Sequence, residues 1–228
     1  MRALRILLIV AVVLGGVFVG IDRLAVAYAE SEAASRVKLS AADSDSIEID
    51  IKGFPFLTQV ADKRFDEVDV VAKGVEATAG SRKIRVDELT AALRDVTVTG
   101  DWAGARAGSA TGTALISYEA LTAASDREAT VAYGGDGKVK VTGSVEILGR
   151  KLTRSVLSTV TVVNGDTIKV RADEVPGEGI PGVEEMIRKR TDFERPIGMI
   201  AGMKVEKVEA RPDGLAVAVS GKDVALAG

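Results

Sequence analysis

The sequence contains no histidine and no cysteine among its 228 residues, and aromatic residues make up only 4% of it. Without those two residue types there is no Ser-His-Asp triad, no Cys-His nucleophile pair and no thiolate or imidazole zinc site. Disulfides are excluded by the same count, so buried apolar surface has to hold the fold unaided. The attachment cysteine of a lipoprotein is missing too. A long basic run is also lacking: 30 Lys and Arg against 33 Asp and Glu leave a formal charge of -3. Nucleic acid is therefore not an expected partner.

Apolar residues are plentiful, at 46% against 28% charged, which suits a folded domain with a sizeable core. The first long feature is the unbroken run Ile6–Ile21, preceded by Arg2 and Arg5 and followed by Asp22 and Arg23. It is longer than the ~7–15 residues of a signal-peptide core and shorter than the ~20 of a spanning helix. Ala27-Tyr28-Ala29 has the form of a cleavage site, whereas Leu24–Ala29 can equally lengthen a span. A retained single-pass anchor with the domain on the extracytoplasmic side is the working expectation. Export to the cell envelope after cleavage is the alternative. The chain then divides into a signal or transmembrane segment at 1–29, a polar helical stalk and linker at 30–46, and one β-rich domain at 47–228.

Alternation dominates the domain. Ile47, Ile49 and Ile51 oppose Glu48 and Asp50, and Val68, Val70 and Ala72 oppose Glu67 and Asp69. Lys138–Ile147 alternates over its whole length, with Gly143 expected at a bend or bulge. Asn164-Gly165 predicts a hairpin turn with both residues at positive φ, and Pro212-Asp213-Gly214 and the glycines around Asp136 predict two more. Helical spacing appears in Ile180–Arg190, in Asp87–Val96 and after Ser117, a candidate cap. Pro55 at a first helical position would start a short helix carrying Phe56, Leu57 and Val60. Trp102, the one tryptophan, sits in Gly/Ala-rich Gly100–Gly112, which reads as a loop. The expected class is α+β, with long antiparallel strands and few, short helices.

Gly53-Phe54-Pro55-Phe56, the following Phe65-Asp66-Glu67-Val68, and the segment from Thr191 to Val224 resemble the LmeA family of phospholipid-binding envelope proteins of actinobacteria. The resemblance extends from about Arg23 to the C-terminus. It implies an elongated, strongly curved antiparallel sheet wrapping a few short amphipathic helices, akin to the tubular lipid-binding proteins related to bactericidal permeability-increasing protein. It also implies binding of phospholipids, anionic lipids and phosphoinositides among them, and for some members a part in lipoglycan maturation. No catalytic residue, cofactor or metal carries over.

The apolar residues expected to touch lipid are Phe54, Phe56, Leu57, Val60 and Phe65 at the first motif, and Val183, Met186 and Ile187 on the later helix. Arg188, Lys189 and Arg190 are expected either to meet an anionic headgroup or to close a helix against its dipole. The carboxylates Glu48, Asp50, Glu67 and Asp69 fall on outward strand faces, where solvation is the plain reading. Ser155 and Ser158 would need a lysine base such as Lys151 to act as nucleophiles. A membrane and a phospholipid are thus the expected partners, in a non-enzymatic protein. The competing reading is an anchored β module with a solid core that recognises an envelope protein or glycan.

Overall fold

The computed structural model describes residues 2–227 except 41–43, 80–81, 101, 103, 126–128, 148–149, 174–191 and 198. The expected helix at Ile180–Arg190 lies outside the described residues. Helix α1 (Arg2–Ser40) is continuous from the apolar run into the polar stalk. It is followed by β1 (Ser46–Lys52), α2 (Phe56–Asp62), β2 (Arg64–Ala79), β3 (Arg82–Thr99), β4 (Gly104–Ile116) and α3 (Tyr118–Ala123). Then come β5 (Ala129–Gly135), β6 (Lys138–Ile147), β7 (Arg150–Val163), β8 (Thr167–Ala172), β9 (Phe193–Pro196), β10 (Met203–Arg211) and β11 (Gly214–Ala227).

The strands form two open antiparallel sheets where one curved sheet was expected. The first has six strands in the order β1-β2-β3-β4-β11-β10, and the second has five, β5 to β9 in sequence. Turn chemistry sets the hairpins as predicted. Asn164 and Gly165 have φ of 55° and 74°, and Asp136 and Gly137 have 48° and 71°. Ser117 caps α3 by accepting from the Ala120 N–H at 3.3 Å.

Four expectations are corrected. Asp87–Val96 is not helical but lies inside β3, paired on both sides. Its Leu93 and Val96 reach one apolar cluster at helix-like spacing because Asp95 between them takes a left-handed φ of 51° and shifts the side-chain phase. Gly104–Gly112, expected as loop, is strand β4, where pairing with both β3 and β11 overrides weak strand propensity. Gly143 marks no bulge, since β6 pairs with β7 through it without a shift; it stands opposite the first residue of β5. Pro55 precedes helix α2 at its cap position (φ -78°, ψ 140°) instead of opening the helix.

The phase shift at Asp95 is part of a line across the sheet. By register, Asp66 of β2, Asp95 of β3, Gly108 of β4 and Asp223 of β11 stand side by side, and each is skipped in the ladder. Asp223 also has a left-handed φ, of 50°. On each strand two residues here turn from the core while those flanking them turn toward it, as with Ala107 and Ala110 around Gly108 and Ser109.

Candidate functional site

The six-stranded sheet sorts its side chains by chemistry. One register row crosses all six strands as Ile49, Val70, Ala91, Gly112, Val219 and Val205. The parallel row on one side is Ile47, Ala72, Leu89, Ala114, Val217 and Val208, and on the other Ile51, Val68, Leu93, Ala110, Gly221 and Met203. These rows share one face because side chains alternate along a strand with period two. No polar side chain occurs in them. The row between two of them is Asp50, Asp69, Ala92, Thr111, Ser220 and Lys204, on the opposite, polar face.

The apolar face is about 24 Å across, from five strand spacings of ~4.8 Å. Side-chain size is uneven over it. Along β4 it carries only Ala110, Gly112 and Ala114, while Leu89 and Leu93 of β3 and Val217 and Val219 of β11 stand on either side. The result is a low band following β4 between taller walls. Gly112 is required by close approach, since a Cβ there would lie 2.7 Å from the Thr90 carbonyl oxygen. Ile49, Val70, Ala91, Gly112 and Val219 are half-buried, so this central row retains accessible apolar surface.

One end of the face is closed by aromatic packing. Phe56 of α2 and Phe65 of β2 are buried, at 4% and 7% exposure, with ring centroids 6.2 Å apart. They pack with Val26 of α1, Val96 and Ala107, and Leu57, Val60, Val68 and Leu93 adjoin them. Trp102 lies 6.4 Å from Phe65 and is 54% exposed. Helix α1 is locked onto this end by Asp22, whose fully buried carboxylate accepts from the Leu57 N–H at 2.9 Å and pairs with Arg23 at 2.7 Å. A neighbouring helix thus supplies the cap that Pro55 cannot, since α2 has no side-chain cap of its own. Further out, Glu30 accepts from the Ile51 N–H at 2.8 Å.

At the other end the apolar face runs into the second sheet. Ala210 and Leu215 pack with Val139 of β6, and Tyr118, Tyr133, Val131, Val141, Val160 and Val208 surround them. Tyr118 donates its hydroxyl to the Arg211 carbonyl at 2.7 Å. On the reverse of the second sheet a pocket of about 450 Å³ is lined by Thr159, Thr161, Lys169, Arg171, Ala172 and Asp173. Five of its six lining residues carry a hydroxyl or a charge. There Lys138 lies 2.8 Å from Asp173, and Thr159 donates to that carboxylate at 2.6 Å. These two contacts hold the Asp173 carboxyl below the usual carboxylate range.

The sequence-predicted residues separate accordingly. Phe56 and Phe65 belong to the packing under α2, with Leu57 and Val60 half-buried beside them. Phe54 is 57% exposed, beneath the Arg23 guanidinium at 5.3 Å. Val183, Met186, Ile187, Arg188, Lys189 and Arg190 lie outside the described residues. Glu48, Asp50, Glu67 and Asp69 stand on the polar strand positions, with Arg94 3.2 Å from Glu67 and Lys52 3.8 Å from Asp69. Ser158 is buried while Ser155 bonds to Thr142 on the other side of β7. Among the described residues no group of acidic side chains is arranged to hold a metal. The residues that sequence reading missed are the small ones of β4, whose signal was the alternation of Ala110, Gly112 and Ala114 with Ser109, Thr111 and Thr113.

Residues 20–220 match the family described as LmeA-like phospholipid-binding, and the chain belongs to that family. Neither a curated protein nor a solved structure matches it.

Proposed function

We propose that this family member is a membrane-anchored, non-enzymatic phospholipid-binding protein of the bacterial cell envelope, in which an acyl chain lies in the low band along β4. The reading rests on the three register rows of the six-stranded sheet, which offer apolar side chains only and leave the central row half-buried. Each CH₂ withdrawn from water there contributes about 0.8 kcal/mol, so chain burial outweighs any single headgroup contact. An anionic headgroup, phosphoinositides included, is the preference expected from Arg188, Lys189 and Arg190. Holding lipid and handing it between membranes are both open to such a face.

Helix α1 is long and apolar enough to cross a membrane. Its retention is favoured because cleavage after Ala29 would remove Asp22 and Val26, which cap α2 and fill the aromatic cluster. With the arginines of the N-terminus inside, the sheets lie on the extracytoplasmic side. N-terminal sequencing of the mature protein checks this: a start at Glu30 would remove the anchor from the proposal.

Native mass spectrometry of the full chain, purified in mild detergent, tests lipid binding. Phospholipid should accompany the protein, and Ala91→Phe, which raises the floor beside the band, should lose it while keeping a cooperative melt. A wild-type protein that is empty and takes up no lipid from vesicles would favour a solid-cored interaction module.

A further inference from the structure

We infer that the end of the molecule where α1 meets α2 rests on the bilayer, with Phe54 and Trp102 entering the headgroup interface. The inference rests on the retained anchor proposed above and adds the orientation of the sheets upon it.

Three observations converge on this end. The first is length. Residues Leu8–Ile21 are exposed all round, with none of the described residues covering them. The whole apolar run Ile6–Ile21 spans about 24 Å at 1.5 Å per residue, less than the ~30 Å of a hydrocarbon core. No helix is left over to hold the sheets away from the membrane, because the next residue, Asp22, is already buried against α2. A span shorter than the core is accommodated by local thinning of the bilayer and by snorkelling of its flanking residues, which keeps those residues at the headgroup level. Those residues are suited to it: Leu24 and Tyr28 on the outer flank of α1 are exposed apolar side chains.

The second is the placement of exposed aromatics. Outside α1, the exposed large apolar side chains among the described residues are Phe54, Trp102, Leu157 and Ile200. Both aromatics of that set lie at this end: Phe54 under Arg23, the residue after the anchor's Asp22, and Trp102 against Phe65 of the aromatic cluster. Tryptophan, with an apolar ring and a polar N–H, favours the headgroup level. The third is continuity, since Trp102, Phe65 and Phe56 form a row of rings leading from the surface to Val68 and Leu93 at the edge of the apolar face. The rings thus tie the exposed Trp102 to the closed end of the apolar face, the end that faces the bilayer.

Trp102 is the sole tryptophan, so its emission reports this surface alone. The full chain would be reconstituted in phosphatidylethanolamine–phosphatidylglycerol vesicles carrying nitroxide-labelled phosphatidylcholine. A label next to the glycerol should quench Trp102 at least about twofold more than a label near the chain terminus, and aqueous iodide should quench it little. Full iodide quenching with no effect of either label would overturn the inference. The measurement is repeated in Ala91→Phe, whose lipid band is obstructed. Quenching that persists there places the label in the bilayer; quenching that disappears shows that the label had entered the protein, and the docking inference fails while lipid binding stands. The absence of bound lipid in mass spectrometry together with preserved quenching would leave the docking and remove the lipid site.

Discussion

The two ends of the six-stranded sheet are finished in different ways. At the α1–α2 end a helix from outside the sheet is fastened down by a buried carboxylate, and phenylalanine rings fill the space beneath. At the other end Leu215 and Ala210 meet the valines of a second sheet, and the apolar surface continues across the junction. The first end is a closure pinned by side-chain-to-backbone hydrogen bonds from Asp22 and Glu30, whereas the second is a splice between like surfaces. Directional hydrogen bonding fixes a position, and apolar packing joins areas without fixing one so tightly.

The largest effects should come from emptying each cluster. Phe65→Ala should cost about 3–5 kcal/mol and release α1, read as faster proteolysis near Glu30. Leu215→Ala should cost about 2–5 kcal/mol and leave α1 as protected as in the wild type. Equal protease sensitivity of the helix in both variants would erase the distinction between the ends.

An intermediate effect is expected at the fastening itself. Asp22→Ala leaves a buried N–H of α2 without an acceptor and should destabilise by about 1–3 kcal/mol. Asp22→Asn keeps an acceptor oxygen and should recover most of the melting temperature. If asparagine is no better than alanine, the cap is not what holds the helix.

The smallest effect belongs to the splice side. The Asp173 carboxyl has a folded pKa lowered by Lys138 and Thr159, so its contribution is present above the unfolded value of about 3.9 and is lost as pH falls through the folded value. Asp173→Asn should remove this acid-side loss, which is under about 1 kcal/mol for a pair this accessible. Denaturant midpoints compared between pH 6 and pH 3 would measure it; an unchanged acid slope in the variant would show that the pair contributes nothing.

What the sequence disclosed follows from how local each signal is. Ile47, Ile49 and Ile51 alternate without interruption, and Asn164-Gly165 carries its turn preference within two residues, so strands and hairpins were legible. Asp95 hid β3 because a left-handed residue in mid-strand converts a period of two into the i, i+3 spacing of a helix. Ala110, Gly112 and Ala114 hid the floor of the apolar face because low propensity is overridden only by partners on both sides, and those partners are distant in sequence. The fastening of α1 joins residues 35 positions apart, Asp22 and Leu57, through a backbone N–H that leaves no trace in side-chain pattern.

The line Asp66–Asp95–Gly108–Asp223 bears on how a chain of this kind can change in length. Each of the four strands carries one supernumerary residue there, and all four are matched in register. Deleting Asp95 alone would restore plain alternation in β3 but leave its two segments one residue out of step with β2 and β4, turning one segment inside out against its neighbours. Four deletions made together would keep every pair aligned. Insertions and deletions along this sheet are therefore tolerable in concert and damaging singly.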